Sequence, residues 1–169
     1  HFISFYNIKQ HTGILRNLII RTNQIGEVMI VLSISEPISE QISELFIELK
    51  NRFSNIVSAY YAINMKKNDS WFGLECCKVF GNEYLLEKME HVTFQIGPKS
   101  FFQTNTLQSI KLYQLIRSFV ELSGQEIVYD LYCGVGSIGI FLAKDAKLII
   151  GIEEIPEAVL DAECNAKIN

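Results

Sequence analysis

Residues 129–144, YDLYCGVGSIGIFLAK, run from strand-like sequence through three glycines into a helix-like apolar stretch, and their reading decides the fold. Gly134, Gly136 and Gly139 have the spacing G-x-G-x-x-G, familiar from nicotinamide dinucleotide sites. The physical basis is general. A strand that turns sharply into a helix leaves the first backbone N–H groups of the helix without partners. Glycines let a ligand come close to them. Two features are unusual: Asp130 lies four positions before the first glycine, and Tyr132 and Cys133 fill the gap.

Around the glycines, the pattern extends in both directions. EIVYDLYC (126–133) reads as the strand before the turn and SIGIFLAK as the helix after it. KLIIGIEE (147–154) reads as a second strand, and PEAVLDAECNAKI (156–168) as a helix opening on Pro156. Upstream, residues 106–122 have helical spacing, with Leu112, Ile116, Phe119 and Val120 on one face and Gly124 in the usual closing place. This is the β-α-β-α order of a doubly wound, Rossmann-like α/β domain. Two parallel strands are fewer than such a sheet contains. The expectation is a fragment whose other strands lie elsewhere in a longer protein, or a sheet completed by a second copy.

The first part of the chain is of another kind. ILRNLIIRT (14–22) and EVMIVLSIS (27–35) flank NQIG as a hairpin, with Gly26 available for a positive-φ position. SEPISEQISELFIELKNRF then has Ile38, Ile42, Leu45, Phe46, Leu49 and Phe53 at helical spacing, with Ser35 and Pro37 as start signals. NIVSAYYAIN (55–64), ECCKVF, EYLLEKM and EHVTFQIG return to strand patterns. Residues 1–97 are therefore expected to form a small α+β domain with an antiparallel sheet. GPKSFFQTN (97–105) is the expected junction, and residues 98–169 the start of the α/β domain.

Composition narrows the function. Of 169 residues, 49% are hydrophobic, enough to bury a core. Net charge is −4, distributed unevenly: residues 1–120 hold 12 Lys or Arg against 10 acids, and residues 121–169 hold 3 against 9. The C-terminal part is thus unsuited to gripping phosphates by itself. The chain opens on His1 instead of Met, as a processed or trimmed chain would, and shows neither a secretory signal nor a membrane-length apolar run. Cys76, Cys77, Cys133 and Cys164 form no C-x-x-C pair, so a zinc site is not expected, and reduced thiols in a cytoplasmic setting are. His1, His11 and His91 read as surface or structural residues.

The glycine turn suits an adenosine-bearing ligand, and Glu153, at the end of the second strand, sits where a carboxylate accepts hydrogen bonds from ribose hydroxyls. Both features fit NAD and S-adenosylmethionine alike. Asp130 favours the second. A pyrophosphate calls for a neutral or positive turn, whereas S-adenosylmethionine brings a sulfonium, an ammonium and no phosphate. Tyr132 and the bulk of Cys133 also crowd the turn for a pyrophosphate.

SFFQTN before a helix, then VYDLYCGVGSIGIFLA and IIGIEEIPEAVLDAECNAKIN, resembles the S-adenosylmethionine-dependent RNA uracil-5 methyltransferases. HTGILRNLIIRTNQIGEVMIVL is similar to the central domain of that family, so the resemblance covers nearly the whole chain. It implies cofactor contacts from Gln103, Tyr132, Ser137 and Glu153, with Asp130, Gly134 and Gly136 shaping the turn. Asn105 belongs to the same motif and is equally suited to cap the helix after it.

The resemblance also implies a mechanism. A cysteine thiolate adds to C6 of uracil, the resulting enolate takes the methyl group at C5, and a base removes the C5 proton before the cysteine leaves. The family's nucleophile lies in a Ser-Cys-Asn-Pro-like motif that does not occur in this sequence, so no catalytic residue is assigned and this chain alone is expected to be inactive. Its implied partner is ribosomal or transfer RNA. Two other readings stay open: an NAD-dependent oxidoreductase, supported by the glycine spacing and Glu153, and a non-catalytic RNA-binding module.

Overall fold

A computed structural model describes residues 3–169; His1 lies outside the described residues. The chain divides into two compact units, His1–Leu85 and Leu86–Asn169.

In the first unit, β1 (Leu15–Thr22) and β2 (Val28–Ile34) form the antiparallel hairpin, with Gly26 at φ 84° in the turn. Helix α1 (Glu40–Arg52) starts later than its sequence signals suggest: Ser39, not Ser35 or Pro37, is the cap, its hydroxyl accepting from the Ile42 N–H. It buries Ile42 and Phe46 on Ile30, Leu32, Ile34 and Ala59 of the sheet. At the stripe's two ends, Ile38 and Phe53 are exposed. Strand β3 (Ile56–Ile63) lies parallel to β2, and β4 (Cys77–Gly81) antiparallel to β3. The sheet is therefore mixed where adjacent strand runs suggest a purely antiparallel one. The α1 crossover carries the chain back to the starting end, so β2 and β3 must run the same way.

Strand β5 (Leu85–Met89) pairs with β6 (Val92–Ile96). The second unit continues with α2 (Thr106–Val120), β7 (Ile127–Leu131), α3 (Ser137–Leu142), a single 3₁₀ turn (Ala143–Asp145), β8 (Leu148–Ile152) and α4 (Pro156–Ile168). β7 and β8 are parallel and in continuous register from Ile127–Leu148 to Leu131–Ile152. This is the expected β-α-β-α order of a Rossmann-like domain. Asn105 caps α2, its side-chain oxygen accepting from the Gln108 N–H at 3.1 Å. The helix ends at Val120 with Glu121 left-handed, before Gly124. Its buried residues are Ser109 and Tyr113, while Leu112, Phe119 and Val120 stay exposed. The face that packs is set by the small Ser109 and by a tyrosine whose hydroxyl finds a partner, not by the aliphatic stripe.

Helix α4 is fastened to β6 by side-chain amides. Asn165 accepts from the Gln95 N–H at 2.7 Å and donates to the Gln95 carbonyl; Asn169 does both with Thr93 at 2.8 Å. Residues four apart on a helix rise about 6 Å, close to the roughly 6.7 Å between alternate strand residues. The two amides thus act as the next strand beside β6.

Candidate functional site

Backbone conformation aims the glycine loop. Tyr132, Gly134 and Gly136 all have positive φ, at 59°, 55° and 77°. Such a conformation is uncommon for a tyrosine, and its side chain is 87% exposed at the mouth of the loop. A Cβ on Gly134 would meet nothing within 4 Å, so that position borders open space. Gly139 is different. A Cβ there would lie 2.8 Å from Ile149 Cγ2 and 3.0 Å from Asp130 Oδ2, so this glycine lets α3 sit tightly on β7 and β8.

Both acids are tied to the loop's backbone. Glu153 Oε2 accepts from the Gly134 N–H at 3.0 Å, and Oε1 from the N–H groups of Glu154 and Ile155 at 2.9 Å each. These bonds, chiefly those from Ile155 and Gly134, hold its pKa below the ordinary carboxylate value. Asp130 Oδ2 accepts from the Gly139 N–H at 2.9 Å. Burial pushes the Asp130 carboxyl up, and that bond opposes the rise. Ser137, the first residue of α3, meets the Tyr113 hydroxyl at 2.9 Å. Tyr113 sits on α2 and carried no sequence signal, since its position reads equally well as core.

Gln103 is exposed in the segment between β6 and α2. Its neighbours are anchored: Ser100 Oγ accepts from the Gly97 N–H and donates to Asp161, Phe102 packs on Phe94 with ring centroids 5.4 Å apart, and Lys99 pairs with Glu157 at 3.3 Å. The backbone on either side of Gln103 is thus fastened while its amide faces solvent. The structure joins Gly134 to Glu153 and Asp130 to the start of α3. It does not bring Gln103 into hydrogen-bonding contact with them.

Cys133 departs from expectation. Its thiol lies against Gly151 of β8, where a Cβ would stand 2.9 Å from Sγ, so it does not crowd the turn. Burial, and then the charges of Asp130 and Glu153, push its pKa up. A thiol so placed is a poor nucleophile.

The chemistry of the donor set fits S-adenosylmethionine. Residues 129–139 include an acid and no Lys or Arg, and Glu153 Oε2, with one backbone donor, has capacity for a ribose hydroxyl. A pyrophosphate would meet two carboxylates there. Among the described residues no helix is long and apolar enough to cross a membrane.

No protein-family profile matches the chain. An RNA methyltransferase of Bacteroides thetaiotaomicron, named as uncharacterized, is 43% identical over 173 residues, spanning 100% of this chain and 38% of its own length. Another from Porphyromonas gingivalis, named likewise, is 41% identical over 165 residues, spanning 98% of this chain and 36% of its own. Among solved structures, Pyrococcus abyssi tRNA (uracil-54, C5)-methyltransferase in complex with S-adenosyl-L-homocysteine superposes with a TM-score of 0.80. It is 32% identical, over 99% of this chain and 40% of that one. The chain therefore spans well under half the length of the proteins it matches.

Proposed function

We propose that this chain is part of an RNA methyltransferase, as its similarity to such proteins along its whole length supports, and from that premise derive its part in the reaction. It holds S-adenosylmethionine for methylation of C5 of a uridine in transfer or ribosomal RNA. The observation that carries this reading is Glu153, held ionised beside Gly134 at the end of β8 in a loop without cations. The cofactor supplies an electrophilic methyl group on a sulfonium.

The chain's own residues bind and orient. Glu153 accepts from the ribose hydroxyls, Gly134 and Gly136 let the ligand approach, and the Tyr132 ring offers an apolar face beside them. The Asp130 carboxylate suits the cationic methionine end, while Ser137 and the Gln103 amide supply neutral polar contacts. Residues 98–169 are the cofactor-binding part, with β6 as a brace behind α4. None of the four cysteines is assigned as the nucleophile, and burial raises the Cys133 pKa, which disfavours its thiolate. RNA is the partner.

The test uses the full-length protein and RNA carrying tritium at C5 of uridine. Methylation at C5 must release that tritium into water in step with methyl incorporation. Methyl transfer without tritium release would move the reaction to another atom. A full-length protein that binds NADH and not S-adenosylhomocysteine would overturn the reading altogether.

A further inference from the structure

We propose that Tyr113 is a positioning residue for the cofactor loop, its hydroxyl fixing Ser137 so that the serine O–H is presented to the bound cofactor. The proposal deepens the methyltransferase reading and rests on it.

Tyr113 is 2% exposed, and its ring meets Phe141 edge-on with centroids 5.5 Å apart. Phe141 is itself fully buried, so the ring cannot swing and the hydroxyl has a defined place. Phenylalanine would fill this position equally well. A buried hydroxyl costs stability unless it is bonded, and Ser137 Oγ at 2.9 Å is the partner. Burial, the main cause, and the Asp130 charge raise the Tyr113 pKa against the opposing Ser137 bond, so the phenol keeps its proton throughout the physiological range.

A serine hydroxyl has one donor and two acceptor sites. Either hydroxyl can donate in this bond, and the proposal assigns that role to Tyr113: with its proton in one lone pair of Ser137, the serine's own proton is left to point away from α2. Ser137 is only partly buried and directly follows Gly136, which as the cap of α3 has no side chain. Its Oγ is thus the first side-chain polar atom beyond the glycine turn. Helix α2 is itself capped by Asn105, two residues after Gln103. One helix therefore carries both the anchor of the Gln103 segment and the hydroxyl that sets Ser137.

The experiment compares full-length wild type, Y113F, S137A and the double variant by calorimetric titration with S-adenosylhomocysteine, thermal melting and steady-state kinetics. Losing one hydrogen bond weakens binding about fivefold to tenfold. Y113F should show that loss with a melting temperature within about 2 °C of wild type. KM for S-adenosylmethionine should rise while KM for RNA does not. S137A should match it, and the double variant should be no weaker than either single one. Unchanged affinity in Y113F, full additivity in the double variant, or affinity lost only in step with melting temperature overturns the Tyr113 role alone. Wild type that binds no S-adenosylhomocysteine overturns the methyltransferase reading and this proposal with it.

Discussion

The side-chain amide of Asn165 bonds both ways to the backbone of Gln95 and also reaches the carbonyl of Val135 in the glycine loop, at 3.4 Å. Asn165 is fully buried and Val135 nearly so, which puts the bond between them out of reach of water, while the pair to Gln95 is part-buried. One residue of α4 thus holds strand β6 and the loop that would contact the cofactor.

Asn165→Ala leaves the Gln95 N–H and the Val135 carbonyl without this partner. The expected loss is about 2–4 kcal/mol of unfolding free energy, read from urea titration of the full-length protein. Asn165→Asp keeps the acceptor for Gln95 N–H but loses both donors and buries a charge, so it should do no better at pH 7. Near-wild-type midpoints for both variants would show that the amide ladder is dispensable.

A second prediction concerns the entry to β7. Glu126 accepts from the Ser123 hydroxyl at 2.6 Å, the Ser123 N–H at 2.8 Å and the Gln125 N–H at 3.2 Å. These bonds, the Ser123 hydroxyl first, lower its pKa from 4.5 to about 2. A carboxylate depressed in the folded state stabilises it above the unfolded pKa, and that contribution fades as pH falls from about 4.5 towards 2. Glu126→Gln should therefore be less stable than wild type at pH 7, with the gap narrowing through that window. A gap independent of pH in parallel denaturation series would refute the assignment.

Much of the second unit was legible because its signals are local. The β-α-β-α order, the Pro156 start of α4, the Asn105 cap and the acid after β8 each follow from a few adjacent residues. What sequence could not supply depended on partners far along the chain. Tyr113 reads as core until Ser137 is seen beside it, 24 residues on. Asn165 and Asn169 read as polar helix positions until β6, 70 or more residues away, presents its backbone. The parallel β2–β3 pairing was hidden for a related reason: strand patterns show which residues pair inward, not which neighbour the crossover selects. The aliphatic stripe of α2 shows the converse, a periodic signal whose face is not the one this chain packs.

Gly139 provides a third prediction. Gly139→Ala places a methyl group 2.8 Å from Ile149 Cγ2 and 3.0 Å from Asp130 Oδ2, so α3 must lift from the sheet. Overpacking of this kind costs about 1–3 kcal/mol, and displacing the Gly139 N–H from Asp130 also shifts the loop. Stability and S-adenosylhomocysteine affinity should fall together. Gly134→Ala gives the contrast: the site is open but φ is 55°, so the cost is backbone strain of about 1 kcal/mol. Equal melting temperatures for wild type and Gly139→Ala would contradict the close packing of α3.

The last prediction addresses Glu153. If its charge receives the ribose hydroxyls, Glu153→Gln exchanges a charged acceptor for a neutral one with a single carbonyl oxygen. Losing the charged acceptor should lower S-adenosylhomocysteine affinity by roughly tenfold to a hundredfold. The pH dependence separates charge from shape. Backbone donors, Ile155 first, keep the Glu153 pKa below 4.5, so wild-type affinity should be flat from pH 8 to about 5 and decline only below that. The Gln variant has no proton to gain there and should lack that component of the decline. Calorimetric titrations of both proteins across this range decide it, and parallel wild-type and variant profiles would remove Glu153 from the cofactor site.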